Sequence, residues 1–203
     1  MSQFFSIHPT HPQQRLLARA GEIIAAGGLA VYPTDTTYAL GCQIGDKSAL
    51  DRIRQIRKLD DNHHFTLACR DLSEIAVYAR VTNSNFRLLK QLTPGPYTFL
   101  LPATRETPRR LIHPKRKTIG LRVPDHPIAL GLLEQLGGPM MTTTMLLPGE
   151  ELPLSDPEEI RDRVGRLVDV IIDGGACGVL PTTVVDLTGE TPELVRQGLG
   201  TFP

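Results

Sequence analysis

The sequence predicts an α/β fold with a mixed sheet, and two observations carry that reading. Short apolar runs bounded by Gly and Pro alternate along the chain with stretches of helical period, the order that builds a sheet flanked by helices. Near the C-terminus two short strands, at 182–187 and 194–196, follow one another without room for a helix between them, which calls for antiparallel pairing. There is no linker, repeat or low-complexity segment in the 203 residues, so one domain over residues 10–200 is expected.

The elements follow in order. Thr10 is placed to cap a first helix, with Pro12 in its first turn and Leu16, Leu17, Ala20, Ile23 and Ile24 on one face. Gly27-Gly28 ends it. Residues 29–33 read as a buried strand that runs into Pro33 and then the small polar cluster Thr34-Asp35-Thr36-Thr37, either a polar turn or a ligand site at a strand end. A second helix is expected from Asp46 to Lys58, with Ala49, Leu50, Ile53 and Ile56 inward. Arg57 falls within that inward stripe, where a guanidinium either snorkels out or points at an anion. Residues 65–69 read as strand, and Asp71-Leu72-Ser73-Glu74 as a capping box. Asn83 is placed to cap a helix stopped by Thr93-Pro94-Gly95-Pro96, and residues 97–101 read as strand. In 118–123, Ile119, Leu121 and Val123 alternate with Thr118, Gly120 and Arg122, which puts a hydroxyl, bare backbone and a guanidinium on one face. Asp125 is placed to cap a helix with Leu130, Leu133 and Leu136 inward. A strand at 140–144, a helix opened by Asp156-Pro157-Glu158-Glu159, a buried strand at 168–172 and a Gly loop around 174–178 precede the final pair.

Composition excludes several classes. Lys plus Arg equals Asp plus Glu at 22 each, so net charge names no partner. No apolar run reaches the ~20 residues of a membrane helix, and the start, Met1-Ser2-Gln3-Phe4-Phe5, has no basic-then-apolar leader. Cys42, Cys69 and Cys177 are scattered, which suits reduced thiols and a cytoplasmic location better than a disulfide frame or zinc site. His8, His11, His63, His64, His113 and His126 show no metal-ligand spacing, so no metal site is expected.

Charge is uneven locally. Between residues 105 and 122 lie Arg105, Arg109, Arg110, Lys115, Arg116, Lys117 and Arg122, opposed by Glu106 alone. Such a run is a solvated loop or a phosphate-attracting patch. The chain carries no P-loop, Rossmann fingerprint, GxSxG elbow or close carboxylate pair. What recurs is threonine at strand ends, at 34, 36 and 37, at 142–144 and at 182–183, with arginines 57, 122 and 196 at inward positions. Threonine's β-branching suits any strand. If the groups converge, they suit an anionic substrate and the charge of a transferring adenylyl group.

Pro33-Thr34-Asp35-Thr36-Thr37-Tyr38-Ala39-Leu40-Gly41 resembles the PTDTxYGLG opening of the YrdC/YciO family. Thr93-Pro94-Gly95-Pro96-Tyr97-Thr98 is similar to its PGPxT, and Thr118-Ile119-Gly120-Leu121-Arg122-Val123-Pro124-Asp125-His126-Pro127 to its GxRxPxHP. Pro181-Thr182-Thr183-Val184-Val185-Asp186-Leu187 resembles its STVVDL strand, and Val195-Arg196-Gln197-Gly198 its closing RxG. The resemblance implies a YrdC-like fold, a twisted mixed sheet flanked by helices around a basic concave surface. It implies threonylcarbamoyl-AMP synthase chemistry, in which threonine, bicarbonate and ATP give threonylcarbamoyl-AMP and pyrophosphate for the t6A modification of tRNA. Thr34, Arg122, Thr144 and Thr182 would then hold threonine and the carbamate. Arg57, Thr118 and Arg196 would hold ATP, with Mg2+ on its phosphates. No catalytic nucleophile is expected.

The alternative is a module that binds double-stranded RNA or tRNA on the same basic face without turnover, through Arg109, Arg110, Lys115, Arg116 and Lys117. Two departures bear on the choice. The KxR motif of synthases reads Arg57-Lys58-Leu59, and their SxN reads Thr144-Met145-Leu146. With Arg70-Asp71-Leu72, these make the chain resemble the YciO branch more than the established synthases.

Overall fold

The structure is a computed structural model that describes residues 2–60, 63 and 65–202. His64 therefore lies outside the described residues. Ten strands form one sheet among them: β1 Gln3–Ser6, β2 Ala30–Pro33, β3 Tyr38–Gln43, β4 Thr66–Ala68, β5 Tyr97–Pro102, β6 Thr118–Arg122, β7 Met140–Thr144, β8 Val170–Asp173, β9 Thr183–Asp186 and β10 Glu193–Arg196. Their order across the sheet is β1-β8-β2-β3-β7-β4-β6-β5-β9-β10. Parallel and antiparallel neighbours mix: β8 runs parallel to both β1 and β2, while β3 is antiparallel to both β2 and β7. The two C-terminal strands pair antiparallel, as their spacing requires.

Helices cover the two faces unequally. The helices α2 (Lys47–Arg57), α3 (Leu72–Tyr78), α4 (Asn83–Leu92) and α6 (Pro157–Val164) send Leu50, Ile53, Ile75, Leu89 and Ile160 into one core. They meet Val31, Leu40, Leu67, Phe99, Leu121 and Ile171 of the sheet there. On the other face α1 (Gln14–Ala25) and α5 (Pro127–Leu136) pack Leu17, Ile24, Leu132 and Leu133 against Tyr32, Ala39, Ala68 and Ile172. That second core stops short of β5 and β9, from which it takes no residue. A sheet face left without helices on one side is free to hold a ligand.

The strands the sequence analysis missed are β1 and β3. The first has four residues at the end of the chain and is fixed by pairing with β8, a partner more than 160 positions away. In the second, Tyr38 to Cys42 are all buried, so it lacks the polar alternation that marks a half-buried strand. Three caps also differ by a residue or more. Gln13 precedes α1 without a side-chain cap, and the Thr10 hydroxyl meets His8 and His11 instead. Thr82, not Asn83, caps α4 by accepting from the Asn85 amide at 3.2 Å. His126, not Asp125, caps α5, its Nδ1 accepting from the Ile128 amide at 3.2 Å. In α5 the fully buried side is Ile128, Ala129, Leu132 and Leu133, while Leu130 and Leu136 stay half-buried. Asp46 and Asp156 cap α2 and α6 as the sequence predicts.

Candidate active site

A cleft of about 300 Å3 opens on the sheet face that α1 and α5 leave uncovered. Its floor is one file of residues across four strands. Thr142 of β7 faces Thr66 of β4, Thr66 faces Gly120 of β6, and Gly120 faces Leu100 of β5. Period-2 alternation dictates this, since Thr66, Gly120 and Leu100 each sit between neighbours that enter the opposite core, as does Met141 beside Thr142. A Cβ at position 120 would meet the Thr66 hydroxyl at 3.2 Å, so glycine keeps the floor low. Thr98 and Thr182 close one side, their hydroxyls 2.8 Å apart. Thr36 and Thr37 close the other, from the four-residue turn between β2 and β3.

Arg122 is held where β6 meets that turn. Its guanidinium pairs with the Asp35 carboxylate, the two side chains being 9% and 10% exposed, and donates to the Thr36 hydroxyl at 3.4 Å. The turn itself is set by Thr34. Its hydroxyl donates to the Thr37 carbonyl at 2.7 Å and accepts from the Thr36 and Thr37 amides. Behind the turn runs the Gly loop, where a Cβ at Gly178 would strike the Thr36 carbonyl at 2.8 Å. The Thr142 hydroxyl accepts from the buried Tyr32 phenol at 2.9 Å, and burial raises the pKa of that phenol.

At the far end of β7, Arg57 leaves the end of α2 and donates to the Thr143 hydroxyl at 3.0 Å and to the Thr144 carbonyl. Burial lowers its pKa. His63 lines the cleft beside it, 3.4 Å from the Thr143 hydroxyl. Leu59, at the second cationic position of KxR, packs against the core. Arg196 reaches the opposite wall, donating to the Thr182 carbonyl at 2.9 Å.

The sequence-predicted residues thus divide. Arg122, Thr144, Thr182 and Arg196 line the cleft, and Arg57 braces its rim. Thr34 does not line it, because its hydroxyl is used up within the turn, which presents Thr36 and Thr37 instead. Thr118 is buried and lies outside the lining. Arg109, Arg110, Lys115, Arg116 and Lys117 are exposed on the β5–β6 connection and none lines the cleft, so the single basic face of the sequence reading is two separate features. Sequence reasoning did not pick out Thr66, Thr98 and His63 for the site, or the Asp35–Arg122 pair. Alternation in β4 and β5 was the available signal for the two threonines.

Counting along the wall, threonine occurs at 36, 37, 66, 98, 142, 143, 144 and 182, with Arg122, Arg196 and His63 and, among the described residues, no carboxylate. Such a surface offers donors to anions. No cysteine among the described residues lines the cleft, and burial raises all three thiols, Cys42 to about 12 and Cys177 to about 11, which disfavours the thiolate at neutral pH.

Comparison with known proteins agrees with this architecture. A family model named for Sua5, YciO and YrdC, and described as telomere recombination, matches residues 22–198. The protein YciO of Escherichia coli K12 is 60% identical over 200 residues, 98% of this chain and 97% of that one. The crystal structure of E. coli YciO aligns with a TM-score of 0.95, over 99% of this chain and 98% of that one. Threonylcarbamoyl-AMP synthase of Pyrococcus abyssi is 31% identical over 181 residues, 88% of this chain and 53% of the synthase. The P. abyssi Sua5 structure complexed with L-threonine aligns with a TM-score of 0.89 at 27% identity, over 97% of this chain and 58% of that one. The chain belongs to the Sua5/YciO/YrdC family.

Proposed function

We propose that this protein binds threonine and ATP in the cleft and joins them, with bicarbonate, as threonylcarbamoyl-AMP, at an efficiency set by its altered phosphate end. The wall of threonines and arginines, with no carboxylate among the described residues, carries this reading. In the reaction the threonine amine and bicarbonate form a carbamate with loss of water. A carbamate oxygen then attacks the α-phosphorus of ATP, and pyrophosphate leaves. No protein nucleophile is required. The chain's contribution is to hold two anions together and to place donors where charge develops. Arg122, oriented by Asp35 and Thr36, suits a carboxylate. Arg57 at the rim and Arg196 on the wall suit phosphates.

Among the described residues the wall offers a divalent cation hydroxyls and no carboxylate, which suits Mg2+ carried on ATP better than a resident ion. Leu59 and Leu146 leave the phosphate end with fewer donors than the synthase motifs would supply. Each missing charge-assisted bond is worth about 1.5–3 kcal/mol, so weak ATP binding is expected alongside intact threonine binding.

The test is pyrophosphate release from ATP with threonine and bicarbonate omitted in turn. Release that requires both supports the proposal. Release independent of threonine, or none when both substrates are bound, overturns it in favour of different chemistry in the same cleft.

A further inference from the structure

A second hollow lies outside the cleft. Arg80, Arg105 and Arg109 line a recess of about 400 Å3, with Thr104, Thr107 and Ile112 among the remaining wall. None of these residues lines the cleft. The recess has the volume of a small-molecule site, a range of roughly 300–1,000 Å3, but its wall is cationic. Among the described residues no carboxylate lines it. Among the described residues none of the three guanidiniums has a hydrogen-bond or ion-pair partner.

The arginines stand on a fixed frame. The Arg80 amide donates to the Pro102 carbonyl at 2.8 Å, and the Thr104 amide to the Tyr78 carbonyl at 2.9 Å. The Thr104 hydroxyl donates to the Val77 carbonyl and the Thr107 hydroxyl to the Tyr78 carbonyl, both at 2.6 Å. A bridge between Ala79 and Ala103 joins the two segments. The backbone between α3 and the β5–β6 connection is therefore tied by four hydrogen bonds, two of which make the bridge, and three free guanidiniums project from it. Like charges that line one recess without direct ion pairs repel one another, and an arriving anion relieves that repulsion. Guanidiniums match phosphate oxygens in geometry as well as charge.

We propose that this recess is a second anion site, separate from the cleft, that takes a small ligand bearing two or more linked phosphates. A single phosphate would leave most of the volume empty. A linked pair lets several guanidiniums act at once.

Inorganic pyrophosphate is the probe, titrated calorimetrically into the full chain without divalent cations. Two variants separate the sites: Arg57→Ala with Arg196→Ala in the cleft, and Arg105→Ala with Arg109→Ala in the recess. All four arginines are at least partly exposed, so folding is expected to survive, and circular dichroism checks it. The expected result is that the cleft variant keeps a pyrophosphate site whose affinity falls at least tenfold when the recess pair is also removed. Loss of all binding in the cleft variant overturns the proposal, as does binding indifferent to Arg105 and Arg109. An RNA duplex that binds through Arg105 and Arg109 while pyrophosphate does not also overturns it, and makes the recess part of a nucleic-acid surface. Failure of the synthase reaction leaves this site untouched, because the titration involves no turnover.

Discussion

Arg122 in the cleft and Arg105 in the recess carry the same charge in opposite settings. Arg122 is almost buried, paired with Asp35 and braced by Thr36. Arg105 is exposed and has no partner among the described residues. The first is desolvated and positioned by its own protein, so it contributes to the fold as well as to any ligand. The second costs the fold little and is available to a ligand alone. Charge density along the sequence points to the second region, whereas burial and convergence point to the first.

Substitutions should separate the two regions by size of effect. Arg122→Ala leaves Asp35 buried without its cation, and should cost about 3–5 kcal/mol in urea unfolding. A loss under 1 kcal/mol would mean that the pair is solvated and the contrast is false. Arg57→Ala, at the partly exposed rim, should chiefly raise the KM for ATP, by roughly 10- to 100-fold for one lost charge-assisted contact, with the threonine KM unchanged. Equal changes in both would place Arg57 away from the phosphates. Tyr32→Phe removes the buried bond to Thr142 and should cost about 0.5–1.5 kcal/mol, read by thermal unfolding, with weaker threonine binding.

The cap at His126 gives a pH test on the cleft side. Burial lowers the imidazole pKa against the pull of Asp35 and Asp125, so the unfolded chain binds the proton more readily than the folded one. Its contribution is complete above the unfolded value of about 6.5, and is lost as the pH falls through that value towards the folded one. His126→Asn keeps an acceptor for the Ile128 amide without the titration, a cap worth about 1 kcal/mol. Stability measured between pH 7 and 5 should therefore be flatter in the variant. Smallest of all, charge reversal at Lys115, Arg116 and Lys117 should change stability by less than about 0.5 kcal/mol, and should leave cleft turnover as it was.

Much of the site could be read before the fold was known. Hydroxyls at the ends of the β7 and β9 strands and three inward arginines were visible as residue types in a pattern, and four of the seven assigned substrate-binding residues line the cleft. Thr34 stays out of the lining because a hydroxyl in a tight turn is equally suited to bonding its own backbone, and local sequence does not say which occurs. Thr66 and Thr98 were passed over because each lies within a short strand and becomes part of the cleft only when β4, β6, β5 and β9 lie side by side.

Local chemistry in the chain determined most element types and boundaries, the caps at Asp46 and Asp156, and the alternation that turns Gly120 and Arg122 to one face. Those depend on periods of 2 and 3.6 and on single capping side chains, which neighbours in sequence express. Tertiary structure decided the rest: that β1 joins β8, that Asp35 meets Arg122 across 87 positions, and that the basic run stands apart from the threonine cleft. Those are contacts between distant segments, made by burial and strand order, and no local pattern encodes them.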